Sequence, residues 1–137
     1  MSFLLDTNVV SELRRPRPDA QVVRWVEAVP ATQLYLSVLT IGELRQGIER
    51  LRTTDAERSV SLEAWISVLV TGFSDRIVDV DAAIAERWGR LNARGLLPVI
   101  DGLLAATAIE RDLTLVTRNV ADVHRSGVRT VNPFQRG

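Results

Sequence analysis

Asp6, Glu43 and Asp101 are carboxylates set among apolar residues, and Asn119 and Asp122 form a further polar pair near the end of the chain. Asp6 follows Phe3-Leu4-Leu5, so its carboxylate is expected where a buried strand emerges from the core. Glu43 lies early in a helical pattern, flanked by Gly42 and Leu44. Asp101 stands between Val99-Ile100 and Gly102-Leu103-Leu104, with Gly102 leaving room beside it for the close approach of a ligand. Each also has a purely structural explanation. Asp6 and Asn119 suit helix N-caps, Thr40 and Glu43 have the spacing of a capping box, and Asp101 suits an N-cap after Pro98. Asp122 would sit in a first helical turn, where the macrodipole favours a negative group.

Taken together these residues imply more than capping. Carboxylates gathered at one sheet edge repel one another at neutral pH unless a positive group intervenes. A divalent cation removes that conflict, and an all-oxygen donor set selects hard ions, magnesium or manganese. Such a site activates a water and neutralises charge on a phosphate, which serves phosphodiester hydrolysis; charge alone permits a phosphatase equally.

The elements needed to position these groups can be read along the chain. Phe3–Leu5 reads as a strand, followed by a helix from Val9 to Leu13. Asp19 caps a second helix bearing Val22, Val23, Val26 and Val29 at helical spacing, with Trp25 on its flank. Leu34–Ser37 suits a second strand, and Leu39, Ile41, Leu44, Ile48 and Leu51 mark the helix that carries Glu43. Residues 52–58 read as a connection, Val60–Phe73 as a long helix, Ile77–Val80 as a third strand, and Ala82–Ala93 as a helix capped by Asp81. Asp101–Arg111, Leu113–Thr117, Asn119–His124 and Val128–Val131 read as helix, strand, short helix and fifth strand before a frayed tail. Strands separated by helices imply right-handed crossovers, hence a three-layer α/β/α domain on a parallel sheet, spanning residues 1–137 as one unit. In such sheets, sites form at the carboxyl ends of the strands.

Composition narrows the chemistry. The chain has no cysteine, which excludes disulfides, thiolate zinc sites and cysteine nucleophiles, and its single histidine, His124, argues against histidine-centred triads. Net charge is zero, so nucleic-acid contact requires a local basic patch; all seventeen basic residues are arginine. Arg14, Arg15 and Arg17, stiffened by Pro16 and Pro18, are candidates for phosphate contact or simply a solvated loop. No apolar run reaches the roughly 18 residues of a membrane span, and the N-terminus lacks signal-peptide character, so a cytoplasmic location is expected.

The motifs Leu5-Asp6-Thr7-Asn8-Val9-Val10-Ser11-Glu12, Leu36-Ser37-Val38-Leu39-Thr40-Ile41-Gly42-Glu43-Leu44, Asp101 before Leu104-Ala105-Ala106-Thr107-Ala108, and Thr117-Arg118-Asn119-Val120-Ala121-Asp122 occur in order across nearly the whole chain. The pattern resembles the PIN-domain ribonucleases, in particular the VapC and FitB group of toxins of type II toxin-antitoxin systems. The resemblance implies a magnesium- or manganese-dependent endoribonuclease with Asp6, Glu43 and Asp101 as metal ligands, directly or through water. The Thr117–Asp122 segment would complete the site. Family members often carry aspartate where this chain has Asn119, so either Asn119 holds metal-bound water or Asp122 supplies the charge. The resemblance also implies an RNA substrate, a homodimer and a cognate antitoxin protein. Trp65, Trp88 and Tyr35 are candidates for the dimer surface, or for the core.

Two rivals remain to be weighed. An aspartate-based phosphotransfer enzyme would need a second aspartate where Asn8 stands, or a late lysine, and the chain contains none. A non-catalytic PIN-like scaffold that binds RNA or protein draws its support from Asn119 alone.

Overall fold

The computed structural model describes residues 1–134 except Leu96, so the last three residues of the expected tail and one residue of the apolar run before Asp101 lie outside the described residues. The chain alternates strand and helix from its first residues. β1 (Phe3–Leu5) leads into α1 (Thr7–Leu13) and α2 (Ala20–Ala28); a 3₁₀ turn precedes β2 (Leu34–Ser37), which runs into α3 (Val38–Leu51) and α4 (Ala56–Gly72). β3 (Ile77–Val78), α5 (Ala82–Leu91), α6 (Val99–Glu110), β4 (Thr114–Val116), α7 (Val120–Val123) and β5 (Thr130–Val131) follow.

All pairings are parallel and the strand order is β3-β2-β1-β4-β5. The first three strands step outward in one direction and the last two in the other, which puts the topological switch point between β1 and β4, where Leu4 pairs with Leu115 and Leu5 with Val116. Alternation of side chains across the strands divides the core in two. Leu5, Leu34, Leu36 and Val116 face Val9, Val10, Val22, Leu44, Ile48 and Ile66 from α1 to α4. Leu4 and Leu115 face the opposite layer, built on Leu104, Ala105, Ala108 and Val123 from α6 and α7. The sequence pattern had implied this three-layer α/β/α arrangement, and the sheet has it.

Several boundaries differ from the sequence reading. α4 begins at Ala56 because Asp55 caps it, its carboxylate accepting from the Arg58 N–H at 3.1 Å. Ala56, Glu57 and Arg58 are therefore the exposed first turn of the helix and not a connection. β3 stops at Val78, and α6 begins at Val99 behind Pro98, a residue suited to a helix start. The candidate dimer aromatics pack inward: Trp65 against the α1–α4 core and Tyr35 against the α6 layer. Trp25 meets Phe3 edge to face at 5.0 Å. Among the described residues no helix is long and apolar enough to cross a membrane.

Candidate active site

Asp6 extends the β1 ladder by one residue, donating its N–H to Val116 O at 2.9 Å, and its carbonyl then accepts from Val9 and Val10 to start α1. Its side chain does not cap that helix. The carboxylate instead accepts from the Thr117 hydroxyl at 2.8 Å, spanning the switch point between β1 and β4, and the residue is only 6% exposed. Thr117 is fully buried and uses its whole hydrogen-bonding capacity, accepting from the Asn119 N–H at 3.0 Å and the Asn8 amide at 3.3 Å while donating to Asp6. Asn8 returns to the same loop by accepting from the Arg118 N–H at 3.3 Å.

Glu43 is not part of a capping box. Ser37 caps α3, accepting from the Leu39 N–H at 3.0 Å, so Thr40 and Glu43 lie inside the helix. The Thr7 hydroxyl donates to Glu43 Oε1 at 2.6 Å and lies 3.0 Å from the buried Thr40 hydroxyl. Thus the three residues Asp6, Thr7 and Asn8 tie α1 to β4 on one side and to α3 on the other.

Asp101 occupies the first turn of α6, with Pro98 as the N-cap position, so it is not the cap. Gly102 does not provide room for a ligand. A Cβ there would lie 3.0 Å from Trp88 Cδ1 and 3.1 Å from Trp88 Nε1, so the glycine admits the indole of α5 against α6. This contact also accounts for Trp88, which is held between helices. Asp122 lies in the first turn of α7, exposed, and Asn119 precedes that turn without a side-chain cap bond.

Electrostatics links the carboxylates. Burial raises the Asp6 carboxyl above its ordinary value of 3.8 against the opposing Thr117 hydrogen bond, and the charges of Asp101 and Glu43 push it further in the same direction. Asp101 is likewise raised, first by burial and then by Asp122 and Glu43. Among the described residues no three carboxylates form one compact chelating group. Magnesium requires only one or two direct carboxylates with waters between, and the donors here are all oxygen, so the set fits a hydrated hard cation. The sequence reading singled out the charged groups but not the individual work of Thr7, Asn8 and Thr117. The available signal was a hydroxyl ending each of two apolar strands, at Ser37 and Thr117.

The PIN domain family pattern matches residues 3–121, a span containing Asp6, Glu43, Asp101 and Asn119. Plasmid stability protein StbB of Pseudomonas syringae pv. tomato is 34% identical over 97% of this chain and 99% of its own. Toxin FitB of Neisseria gonorrhoeae is 32% identical over 96% and 98%, and a VapC ribonuclease of Sinorhizobium fredii is 28% identical over 97% and 98%. The crystal structure of FitAcB from Neisseria gonorrhoeae superposes with a TM-score of 0.91 at 31% identity, covering 98% of this chain and 99% of that one. With Asp6 at the β1/β4 switch point and the family pattern running through Asp6, Glu43 and Asp101, this chain belongs to the PIN-domain family, in its VapC and FitB toxin branch.

Proposed function

We propose that the chain is a metal-dependent endoribonuclease, the toxin of a toxin-antitoxin pair, acting in the cytoplasm as a homodimer and restrained by a cognate antitoxin protein. The observation that carries this reading is a buried Asp6 carboxylate held by Thr117 at the β1/β4 switch point, with Glu43 tied to the neighbouring Thr7 of the same turn. Groups held in that state favour a cation. The relatives named as a toxin and a ribonuclease, and the FitAcB structure, support the biological role.

Asp6, Glu43 and Asp101 would hold magnesium or manganese, which supplies an activated water and neutralises charge developing on the scissile phosphate. The chain's own contribution is positional. Thr117 fixes one Asp6 oxygen and leaves the other for the site, while Thr7 fixes Glu43 Oε1 and leaves Oε2. Asn8 and Asn119 hold the Thr117 hydroxyl in the orientation that keeps its proton on Asp6. Either Asn119 would hold metal-bound water or Asp122 would supply the charge, and the effect of Asp122 on Asp101 supports the second.

Purified, antitoxin-free protein incubated with a mixed RNA pool tests the reading. Cleavage is expected with magnesium or manganese and is expected to stop with EDTA or Asp101→Asn, the fragment ends then identifying the target. No cleavage by folded protein under either metal overturns it in favour of a binding scaffold.

A further inference from the structure

A cavity of about 270 Å³ opens between α1, α3 and α4. Thr7 and Glu43 line it where they join in a hydrogen bond, at the carboxyl edge of the sheet. From there Thr7, Ser11 and Arg14 follow one face of α1, at offsets of four and three residues. At a rise of 1.5 Å per residue, Arg14 lies roughly 10 Å further along the helix than Thr7. Arg58, from the first turn of α4, lines the same cavity, and Leu44, Ile48 and Ile66 contribute its apolar floor.

Neither arginine has an acidic partner, and Arg50, which also lines the cavity, likewise makes no ion pair among the described residues. Arg15 pairs with Glu12 at 3.7 Å, and Glu63 takes both Arg45 at 2.9 Å and Arg52 at 2.6 Å. Among the described residues, no carboxylate lies within ion-pair distance of Arg14 or Arg58. Arg14 is partly buried, and burial together with the charges of Arg58 and Arg15 lowers the pKa of its guanidinium. Arg58 stands in the first turn of its helix, where the macrodipole opposes a cation. The cavity thus touches the Glu43 carboxylate of the candidate site in one part and unpaired guanidiniums in another. A phosphodiester strand that presents one phosphate to the carboxylate site and another to the arginines answers both, since guanidinium matches phosphate oxygens bidentately.

We propose that Arg14 and Arg58 together hold a backbone phosphate of the RNA next to the scissile one, so that the strand runs along α1 from the carboxylates to the arginines. The assignment rests on the nuclease reading. It separates Arg14 from Arg15 and Arg17, which share the sequence cluster but do not line the cavity.

The test uses a fluorescein-labelled single-stranded RNA, read by anisotropy with magnesium in the Asp101→Asn background, where the strand stays intact. Each phosphate contact to a single strand contributes about 0.7 to the slope of log affinity against log salt. Arg14→Gln with Arg58→Gln removes one such contact and is therefore expected to lower the slope by about 0.7 and to weaken binding about 5-fold near 0.1 M salt. Arg24→Gln, an exposed arginine on α2, is expected to change neither. With Asp101 restored, the double variant is expected to raise KM by a similar factor with kcat retained. It is also expected to melt no lower than the native chain, a result that a merely structural role for these arginines would not give.

Unchanged affinity and slope in the double variant, or an equal loss from Arg24→Gln, overturns the assignment. So does unchanged RNA binding accompanied by weaker binding of a peptide of alternating Glu and Leu, which would make the cavity a peptide site. Failure of native protein to cut RNA in either metal overturns the nuclease reading, whereas metal-dependent cutting with unchanged KM in the double variant overturns the phosphate assignment alone.

Discussion

Asp6 and Asp81 occupy the same kind of place in the chain, after a strand and immediately before a helix, yet they behave in opposite ways. Asp81 caps α5, accepting from the Ile84 N–H at 2.9 Å, and pairs with Arg111. Those contacts hold its carboxyl below the ordinary value, with the backbone bond the larger cause. The Asp6 side chain does not cap α1, and its carboxyl is pushed up by burial and by its acidic neighbours against the opposing Thr117 and Thr7 hydrogen bonds. One aspartate is satisfied by groups close by in the chain or by a cation; the other is turned toward Thr117, 111 residues away, and toward like charges. A strand-aspartate-helix signature thus specifies a location, and only the long-range partners decide between a cap and a site.

Replacing each aspartate separates the two roles, and the largest effect is expected from Asp6→Asn. An asparagine can still accept from the Thr117 hydroxyl, so packing is kept while a buried charge is removed. RNA cleavage is expected to fall about a hundredfold or more, beyond the 10- to 100-fold typical of losing a group that only supports a ligand. The melting temperature of the metal-free protein is expected to rise, by about 3–5 °C for each kcal/mol recovered. A fall in both quantities would mean that Asp6 is structural after all, like Asp81.

Thr117→Val sharpens the comparison by removing the partner that redirects Asp6. The isosteric change deletes the donor and leaves the Asn8 amide and the Asn119 N–H without their acceptor. Cleavage is expected to drop about 10- to 100-fold, with the loss recovered in part by raising the metal concentration. Activity unaffected by Thr117→Val would show that the hydroxyl only fills the strand end.

Asp81→Ala is the converse experiment and the smaller effect. Loss of an N-cap costs about 0.5–2 kcal/mol, measurable by denaturant unfolding, while cleavage at a temperature well below the melting point is expected to stay within twofold of native. Cleavage lost along with stability would tie α5 to the site, through the Trp88–Gly102 contact, more tightly than the structure implies.

The parts of this architecture that could be read in the sequence are those fixed by local pattern. Apolar runs ending in Asp6, Ser37 and Thr117 give parallel strands whose carboxyl ends share an edge, and that sufficed for the three-layer fold and for the candidate carboxylates. Three features escaped. Residues 56–58 are exposed and include the charged pair Glu57 and Arg58, which reads equally as loop or as the outer face of a helix until the Asp55 cap is seen. The room at Gly102 is filled by Trp88, fourteen positions earlier, and no spacing rule pairs them. The hydroxyl and amide contacts of Thr7, Asn8 and Thr117 join residues 33 to 111 positions apart, so they exist only once the sheet is assembled.

Acid titration of the metal-free protein should divide the carboxylates by sign. Asp6 and Asp101 have folded values above 3.8, so their protonated forms favour the fold; their contribution is fully present below 3.8 and is lost as pH rises through the raised folded values. Asp81 and Glu63 have folded values below 3.8 and 4.5, so their contribution is present above those values and is lost as pH falls through the lowered ones. Stability measured by thermal melting is therefore expected to be greatest in the mildly acidic range and to decline toward neutral pH. In Asp6→Asn/Asp101→Asn the decline toward neutral pH is expected to flatten while the acid limb persists, and in Asp81→Ala the acid limb is expected to weaken while the neutral decline persists. Magnesium should remove the neutral decline in the native chain, because it gives the ionised carboxylates the positive partner that Asp81 already has in Arg111. A neutral decline that survives both asparagine substitutions would place the repulsion elsewhere and detach the cation from this sheet edge.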